Sequence, residues 1–286
     1  MNYINYNLIQ DLLGELTMKK YMILISIVLV LGSGCSKNKY EDGFYFAAED
    51  SFSESGYKYV AMLEVEDGQI VDAVWNGAYI EGGPDKVTRS ASGQYGMLAR
   101  GGARSEWDEQ AALAEEFLLK TQDPTAVKYT DEEGHTDDIS GVSIHVKEFF
   151  ILADKALKAG PTKRGPYIDG AYHAEEPEFA ANGWKYFVDI TVLGGNIVAV
   201  SWDGINKEGG DLKKTRSKNG EYVMVEGGTP WHVQAEAVQN NIIKTQDPTK
   251  ITYIDDAGHT DDITGVSIHV IEFYELAEKA LERARR

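Results

Sequence analysis

The chain is poor in cysteine: among its 286 residues only Cys35 carries a thiol. One thiol closes no internal disulfide, and no Cys-x-x-Cys-His is present for covalent haem. Nor can it supply an iron–sulfur cluster or a thiol-rich zinc site. Any redox role must therefore use something other than protein sulfur. Positive charge is also scarce. With 28 Lys and Arg against 46 Asp and Glu, the formal net charge is -18. Such a surface repels the phosphates of nucleic acid. It does not dock on an anionic bilayer by charge alone, and it favours solubility and repulsion between copies. The apolar run Tyr21–Leu31 falls short of the roughly 20 residues that span a bilayer. What remains is 43% hydrophobic and 10% aromatic, enough for ordinary packed cores. The length fits one or two domains.

The short apolar run follows Lys19 and Lys20 and precedes "LGSGC", which ends at Cys35. A basic patch, an apolar stretch and small residues before a cleavage point read as a secretory signal. The end of this stretch resembles the lipobox of bacterial lipoproteins, with Gly32 where that pattern more often has Leu. The resemblance implies that residues 1–34 are a signal peptide and that Cys35 is lipidated, with fatty acids such as palmitate. Residues 35–41 would then be a polar tether on the outer face of a membrane. Asp11 and Glu15 are out of place in a basic signal region, which suggests a start at Met18.

The rest is a tandem repeat. At an offset of 127, "GYKYV" at Gly56 meets "GWKYF" at Gly183, Trp75 meets Trp202, and "EGGPDKVTRS" at Glu81 meets "EGGDLKKTRS" at Glu208. After a gap the offset is 124, and "KTQDPT" recurs at Lys120 and Lys244. Each copy has the size of a normal domain. We expect domains over 42–160 and 167–286, joined by a linker at 161–166 within the Gly-, Pro- and Lys-containing stretch "KAGPTKRGP".

Within each copy, Asp67-Gly68 and Gly194-Gly195 mark tight hairpins. Val71, Ala73 and Trp75 should share one sheet face, as should Val198, Val200 and Trp202. Helices follow near Glu106–Lys120 and Trp231–Lys244, and each copy closes with an amphipathic helix beginning at "IHV". The expected fold class is α+β, each copy an antiparallel sheet with a hairpin and packed helices.

"GHTDDISGVSIHV" from Gly134 and "GHTDDITGVSIHV" from Gly258 differ only at Ser140 and Thr264, whereas residues 40–97 differ from their counterparts at more than half of the positions. Ser140 and Thr264 are good helix N-caps. That places Ser143 and Ser267 in a first helical turn, where free N–H groups and the helix dipole favour phosphate. Gly141 and Gly265 would leave room for a bulky group. Asp137 and Asp261 would bond the turn or be read by a modifying enzyme. The plainest alternative is a capped helix after an acidic loop. Against it stands the full pattern Asp-x-x-Ser/Thr-Gly-x-Ser, present twice in corresponding places.

These residues resemble the flavinylation signature Asp-x-x-Ser/Thr-Gly-Ala-Thr/Ser of FMN-binding domains, with Val142 and Val266 where Ala is usual and Ser where Thr is commoner. The opening hairpin resembles the same domains, and the likeness covers almost all of both copies. The layout is similar to the extracellular electron transfer flavoproteins of Firmicutes. The resemblance implies two FMN groups attached covalently by a flavin transferase, through their phosphates, to Ser143 and Ser267. It further implies a quinone-linked membrane donor and extracellular acceptors such as ferric iron, for an electron carrier rather than a stand-alone enzyme. A non-redox surface lipoprotein that binds a ligand or partner, and a donor to a dedicated extracellular reductase, are the alternatives.

Trp75 and Trp202 are candidates to stack on a flavin, although strand aromatics are more often core. Trp107 and Trp231 read chiefly as helix starts, and His145 and His269 as surface residues. His135 and His259 lie near aspartates, but their spacing matches no zinc site. "EGGPDK" and "EGGDLK" lack the phosphate-loop ending and read as turns bordering the site.

Overall fold

A computed structural model describes residues 39–286. The signal region, Cys35 and most of the tether lie outside the described residues. Residues Tyr40–Arg286 form one compact unit. The first copy runs β1 (Gly43–Ala48), β2 (Tyr57–Glu66), β3 (Gln69–Tyr79), α1 (Lys86–Ala91), α2 (Met97–Arg100), α3 (Trp107–Thr121) and α4 (Lys147–Ala159). The second runs β4 (Gly170–Glu175), β5 (Trp184–Leu193), β6 (Asn196–Asn206), α5 (Lys213–Lys218), α6 (Trp231–Thr245) and α7 (Ile271–Leu281). Each copy contains one antiparallel three-stranded sheet, ordered β1-β2-β3 or β4-β5-β6. The α+β class and both hairpins stand as expected from the sequence.

The helices form because their apolar residues fall on one side. In α4 the buried residues are Phe149, Phe150, Leu152, Ala153 and Ala156. In α3 they are Trp107, Gln110, Ala111, Ala114 and Leu118, and Glu106 and Glu109 form a capping box. The repeated "KTQDPT" ends α3 and α6. Gln122 and Gln246 take left-handed backbone at those ends. The side chain of Gln122 accepts from Ile70 N at 2.7 Å and donates to Ile70 O at 2.8 Å. Gln246 does the same at Ile197, at 2.7 and 2.9 Å. Each glutamine thus pairs with its hairpin as an extra strand residue would and fastens helix to sheet.

Strict alternation along β3 and β6 fails at one place in both copies. The register slips between Glu64 and Val65, and again between Thr191 and Val192. The pairing skips Val71 on β3 and Val198 on β6, and such an extra, unpaired residue leaves the face that strict alternation assigns it. Val71 is therefore 47% exposed, while Ala73 and Trp75 stay in the core. Val198 leaves the face of Val200 and Trp202 and joins a separate apolar cluster with Phe44, Val60, Met62, Ala78, Leu193 and Ala199. That cluster lies between the sheets. Each sheet packs its own helices on one face and meets the other sheet on the opposite face.

The join is close. Thr191 Oγ1 donates to Gly83 O at 2.7 Å. Gly82, at φ +68°, approaches Asp189 so tightly that an added Cβ would lie 2.3 Å from its carbonyl oxygen. The 161–166 segment is fixed as well: Thr162 N donates to Phe44 O at 2.7 Å and Gly165 N to Gly194 O at 3.0 Å.

Candidate functional site

The repeated thirteen residues form a closed loop. Val146 N donates to Gly134 O at 2.9 Å, and Val270 N to Gly258 O at the same distance. Asp131 Oδ1 accepts from Gly134 N and His135 N, and its Oδ2 lies 2.6 Å from His135 Nδ1. Asp255 and His259 repeat the side-chain pair at 2.7 Å. Thr136 Oγ1 donates to Lys128 O, whose own N–H donates to Asp138 Oδ2 at 2.8 Å. Thr260, Thr252 and Asp262 repeat this arrangement. Asp138 and Asp262 therefore brace the loop. Asp137 and Asp261 are exposed at its tip.

The expected capping geometry is corrected. Helices α4 and α7 start at Lys147 and Ile271, and Val146 and Val270 occupy the cap positions with no side-chain cap. Ser140 and Thr264 are exposed turn residues, and Ser143 and Ser267 precede the helices. The reason lies in the neighbouring helix. Gln110 Oε1, on α3, accepts from Ser143 N at 2.7 Å and from Ile144 N at 3.2 Å. Gln234 Oε1, on α6, does the same for Ser267 N and Ile268 N, at 2.7 and 3.2 Å. The N–H groups expected to hold phosphate already have an acceptor. Gly141 and Gly265 keep a backbone role, with φ of +90° and +81°, which non-glycine residues adopt at a cost.

The serine hydroxyls remain exposed. Ser143 Oγ lies 3.2 Å and Ser267 Oγ 3.4 Å from the same glutamine oxygens. A glutamine carbonyl orients a hydroxyl but takes no proton from it. Among the described residues no basic side chain is hydrogen-bonded to either serine hydroxyl.

Ser143 borders a cavity of about 460 Å³, whose lining includes Tyr59, Lys86, Tyr95, Arg100, Trp107 and His145. Its size falls within the range of small-molecule sites. Lys86 is 2% exposed, and its Nζ donates to the Tyr59 hydroxyl. Burial pushes this ammonium down to about 7 and pushes the Tyr59 hydroxyl up. In the second copy Lys213 donates to Tyr186 and burial pushes it down to about 8. His145, 3.6 Å from Glu148, is raised by its bond to that carboxylate. Its ring meets His135 edge-on at 5.6 Å, and His259 meets His269 likewise.

Trp75 does not line this cavity, and both Trp75 and Trp202 are buried in the core of their own copy, which corrects their placement as cofactor contacts. Each is 1% exposed and packed among Tyr59, Trp107 and Phe149, or Tyr186, Trp231 and Phe273. Their indole N–H groups are buried with no partner among the described residues, as are Glu148 Oε2 and Glu272 Oε2. Among the described residues no group of three His, Cys, Asp or Glu could hold a metal, and no helix is long and apolar enough to cross a membrane.

Sequence reasoning missed Gln110, Tyr59, Lys86 and Arg100. All but Arg100 recur in the second copy, as Gln234, Tyr186 and Lys213. The repeat alignment was therefore the signal available for them: a lysine, a tyrosine and a glutamine kept where neighbours changed.

No model of a known protein family matches the chain. A stretch of 121 residues, 41% of the chain, is 26% identical to the 15 kDa lipoprotein of Treponema pallidum (strain Nichols) and covers 77% of it. The solution NMR structure of a Clostridium thermocellum protein is 51% identical over 42% of this chain and 91% of that one, with a TM-score of 0.34. The crystal structure of a Clostridium perfringens protein is 24% identical over 41% and 88% of the two chains, with a TM-score of 0.33.

Proposed function

We propose that this chain is a membrane-tethered flavoprotein carrying FMN on Ser143 and Ser267 through phosphate esters. The observation that carries the reading is a duplication. The same exposed serine, oriented by the same glutamine, stands in the same glycine-hinged loop in both copies. In the first copy it opens on a cavity with aromatic walls and cationic side chains. That lining fits a flat aromatic group with a negatively charged tail.

Residues of this chain hold and orient. Gln110 and Gln234 fix the serines, Tyr59, Tyr95 and Trp107 offer aromatic surface, and Arg100, Lys86 and His145 offer positive charge. A flavin, when bound, supplies one- and two-electron chemistry that no side chain here can provide. A flavin transferase attaches the group, and reduced quinone, through a membrane partner, loads it. Ferric iron or another extracellular acceptor unloads it. The relative in Treponema pallidum is named a lipoprotein, which supports lipidation at Cys35 and placement on the outer face of the cell membrane.

Intact mass of protein made with its transferase tests this reading. Two FMN additions are expected. Ser143→Ala should remove one and Ser267→Ala the other, and unchanged flavin content in both variants sinks the assignment.

A further inference from the structure

Each copy buries a lysine inside a ring of aromatic side chains. Lys86 Nζ lies 4.4 Å from the ring centre of Tyr57, 4.7 Å from Tyr59, 4.6 Å from Tyr95 and 4.7 Å from Trp107. Lys213 Nζ lies 5.1 Å from Trp184, 4.6 Å from Tyr186, 4.5 Å from Tyr222 and 5.0 Å from Trp231. Both lysines are 2% exposed. The polar partner of each is one tyrosine hydroxyl, and neither forms an ion pair with a carboxylate among the described residues.

This is a costly way to fill a core. A cation–π contact returns about 0.5–2 kcal/mol, whereas an ammonium taken from water without a carboxylate loses more. A methionine would fill the same space without that loss. Yet lysine stands in both copies while the cage around it drifts from Tyr57 to Trp184 and the next residue from Val87 to Lys214. The cage is also tied to the serine. Trp107 and Gln110 are three apart on α3, and Trp231 and Gln234 are three apart on α6. That spacing puts cage wall and serine holder on one helix face.

We propose that Lys86 and Lys213 are the counter-charges of the two sites, each taking one proton from solvent when an anionic group enters beside it. The proposal deepens the flavin reading and rests on it for the identity of the anion, a phosphate ester. Nothing but the lysine changes its bonding: an amine and a solvent proton become an ammonium, and no bond to the ligand forms. Burial holds Lys86 down to about 7 and Lys213 to about 8, so both can respond near neutral pH. Glu49, Glu148 and His145 act on Lys86, while Glu176, Asp203 and Glu272 act on Lys213. Tyr57, Tyr59 and Tyr95, or Tyr186 and Tyr222, face the ammonium and are themselves raised by burial.

The test follows lysine Cε signals by NMR in 13C-lysine protein prepared with and without the transferase. Lys86→Arg and Lys213→Arg assign the two signals. In the bare protein both midpoints should fall about 2–4 pH units below those of exposed lysines, Lys86 further than Lys213. Attachment of FMN should raise them by about 1–3 pH units. Midpoints equal to those of the exposed lysines, or unmoved on attachment, overturn the proposal. If the transferase leaves both serines bare, the flavin reading fails instead. Inorganic phosphate then decides the lysine question: rising midpoints support a counter-charge, and fixed ones overturn it. Should neither variant fold, proton uptake by the wild-type protein on adding phosphate at about pH 9, above both bare midpoints, serves, with net uptake expected and none overturning the idea.

Discussion

Where the third strand of each sheet meets its long helix, the first repeat uses Glu115 and the second uses Gln239. Trp75 N donates to Glu115 Oε1 at 2.6 Å, and Trp202 N donates to Gln239 Oε1 at 2.8 Å. The bond is the same and the charge is not. A few residues away, Asn76 Oδ1 accepts from Gly77 N and Val87 N. Asp203 Oδ1 accepts from Gly204 N and Lys214 N, with Lys214 Nζ turned to Ser201. The supporting polar groups have thus been exchanged between repeats with their hydrogen-bond geometry intact. The caged lysine, its tyrosine, the glutamine and the exposed serine have not. Geometry alone tolerates exchange of an acid for its amide.

Two other differences set the repeats apart. Gly82 is wedged against the other sheet, whereas at Gly209 nothing lies within 4 Å of an added Cβ. Arg100 borders the first cavity, while its counterpart at the same offset is Gly227, in a loop that exposes Val223 and Val225.

The widest separation between repeats is expected at the glycines. Gly82→Ala combines a left-handed backbone, about 1–2 kcal/mol, with overpacking against Asp189, about 1–3 kcal/mol. Gly209→Ala should cost only the first part. Urea denaturation of both variants measures the gap, and equal losses would show that the sheets do not meet at Gly82.

Next comes the acid. Burial pushes Glu115 up to about 7 from an ordinary 4.5. The folded chain therefore holds a proton there that the unfolded chain has released, and stability falls as pH rises from about 4.5 to about 7. Glu115→Gln should make the first repeat resemble the second. The variant should gain about 3 kcal/mol over the parent at pH 8 and nothing at pH 4. Denaturation at both pH values measures this, and a gain independent of pH would refute it.

Gln110→Ala and Gln234→Ala should then cost the same, about 1 kcal/mol each, because each leaves two partly buried N–H groups without their acceptor. Unequal losses in urea would break the equivalence of the two sites. The smallest effect belongs to Arg100→Gly. Followed by mass in the Ser267→Ala background, the initial rate of flavin attachment at Ser143 should fall about twofold at low salt and not at high salt.

Much of the architecture was legible because hairpins and amphipathic helices are local. Asp67-Gly68, Gly194-Gly195 and the apolar spacing of α4 each declare themselves within a few residues. β1 and β4 were not marked, since their pairing with β2 and β5 is a long-range matter. The bulges at Val71 and Val198 were hidden too, because alternation assumes an unbroken register. At the site, the repeated segment pointed to Ser143 and Ser267 but misplaced the helix starts. Ser140 and Thr264 have good capping chemistry, yet the acceptor that satisfies the backbone comes from Gln110 and Gln234, 33 residues before the serines.

The sequence by itself determined that this chain is a duplication, that each copy folds through a hairpin and amphipathic helices, and that one thirteen-residue segment is special. These are matters of local periodicity and internal comparison. Tertiary structure alone decided that the two sheets pack against each other and that Trp75 and Trp202 are core. It also decided that Lys86 and Lys213 sit in aromatic cages beside the serines' holders. Those outcomes depend on which faces remain apolar after each sheet has covered itself with helices, and on where a buried amine can find rings to lie against.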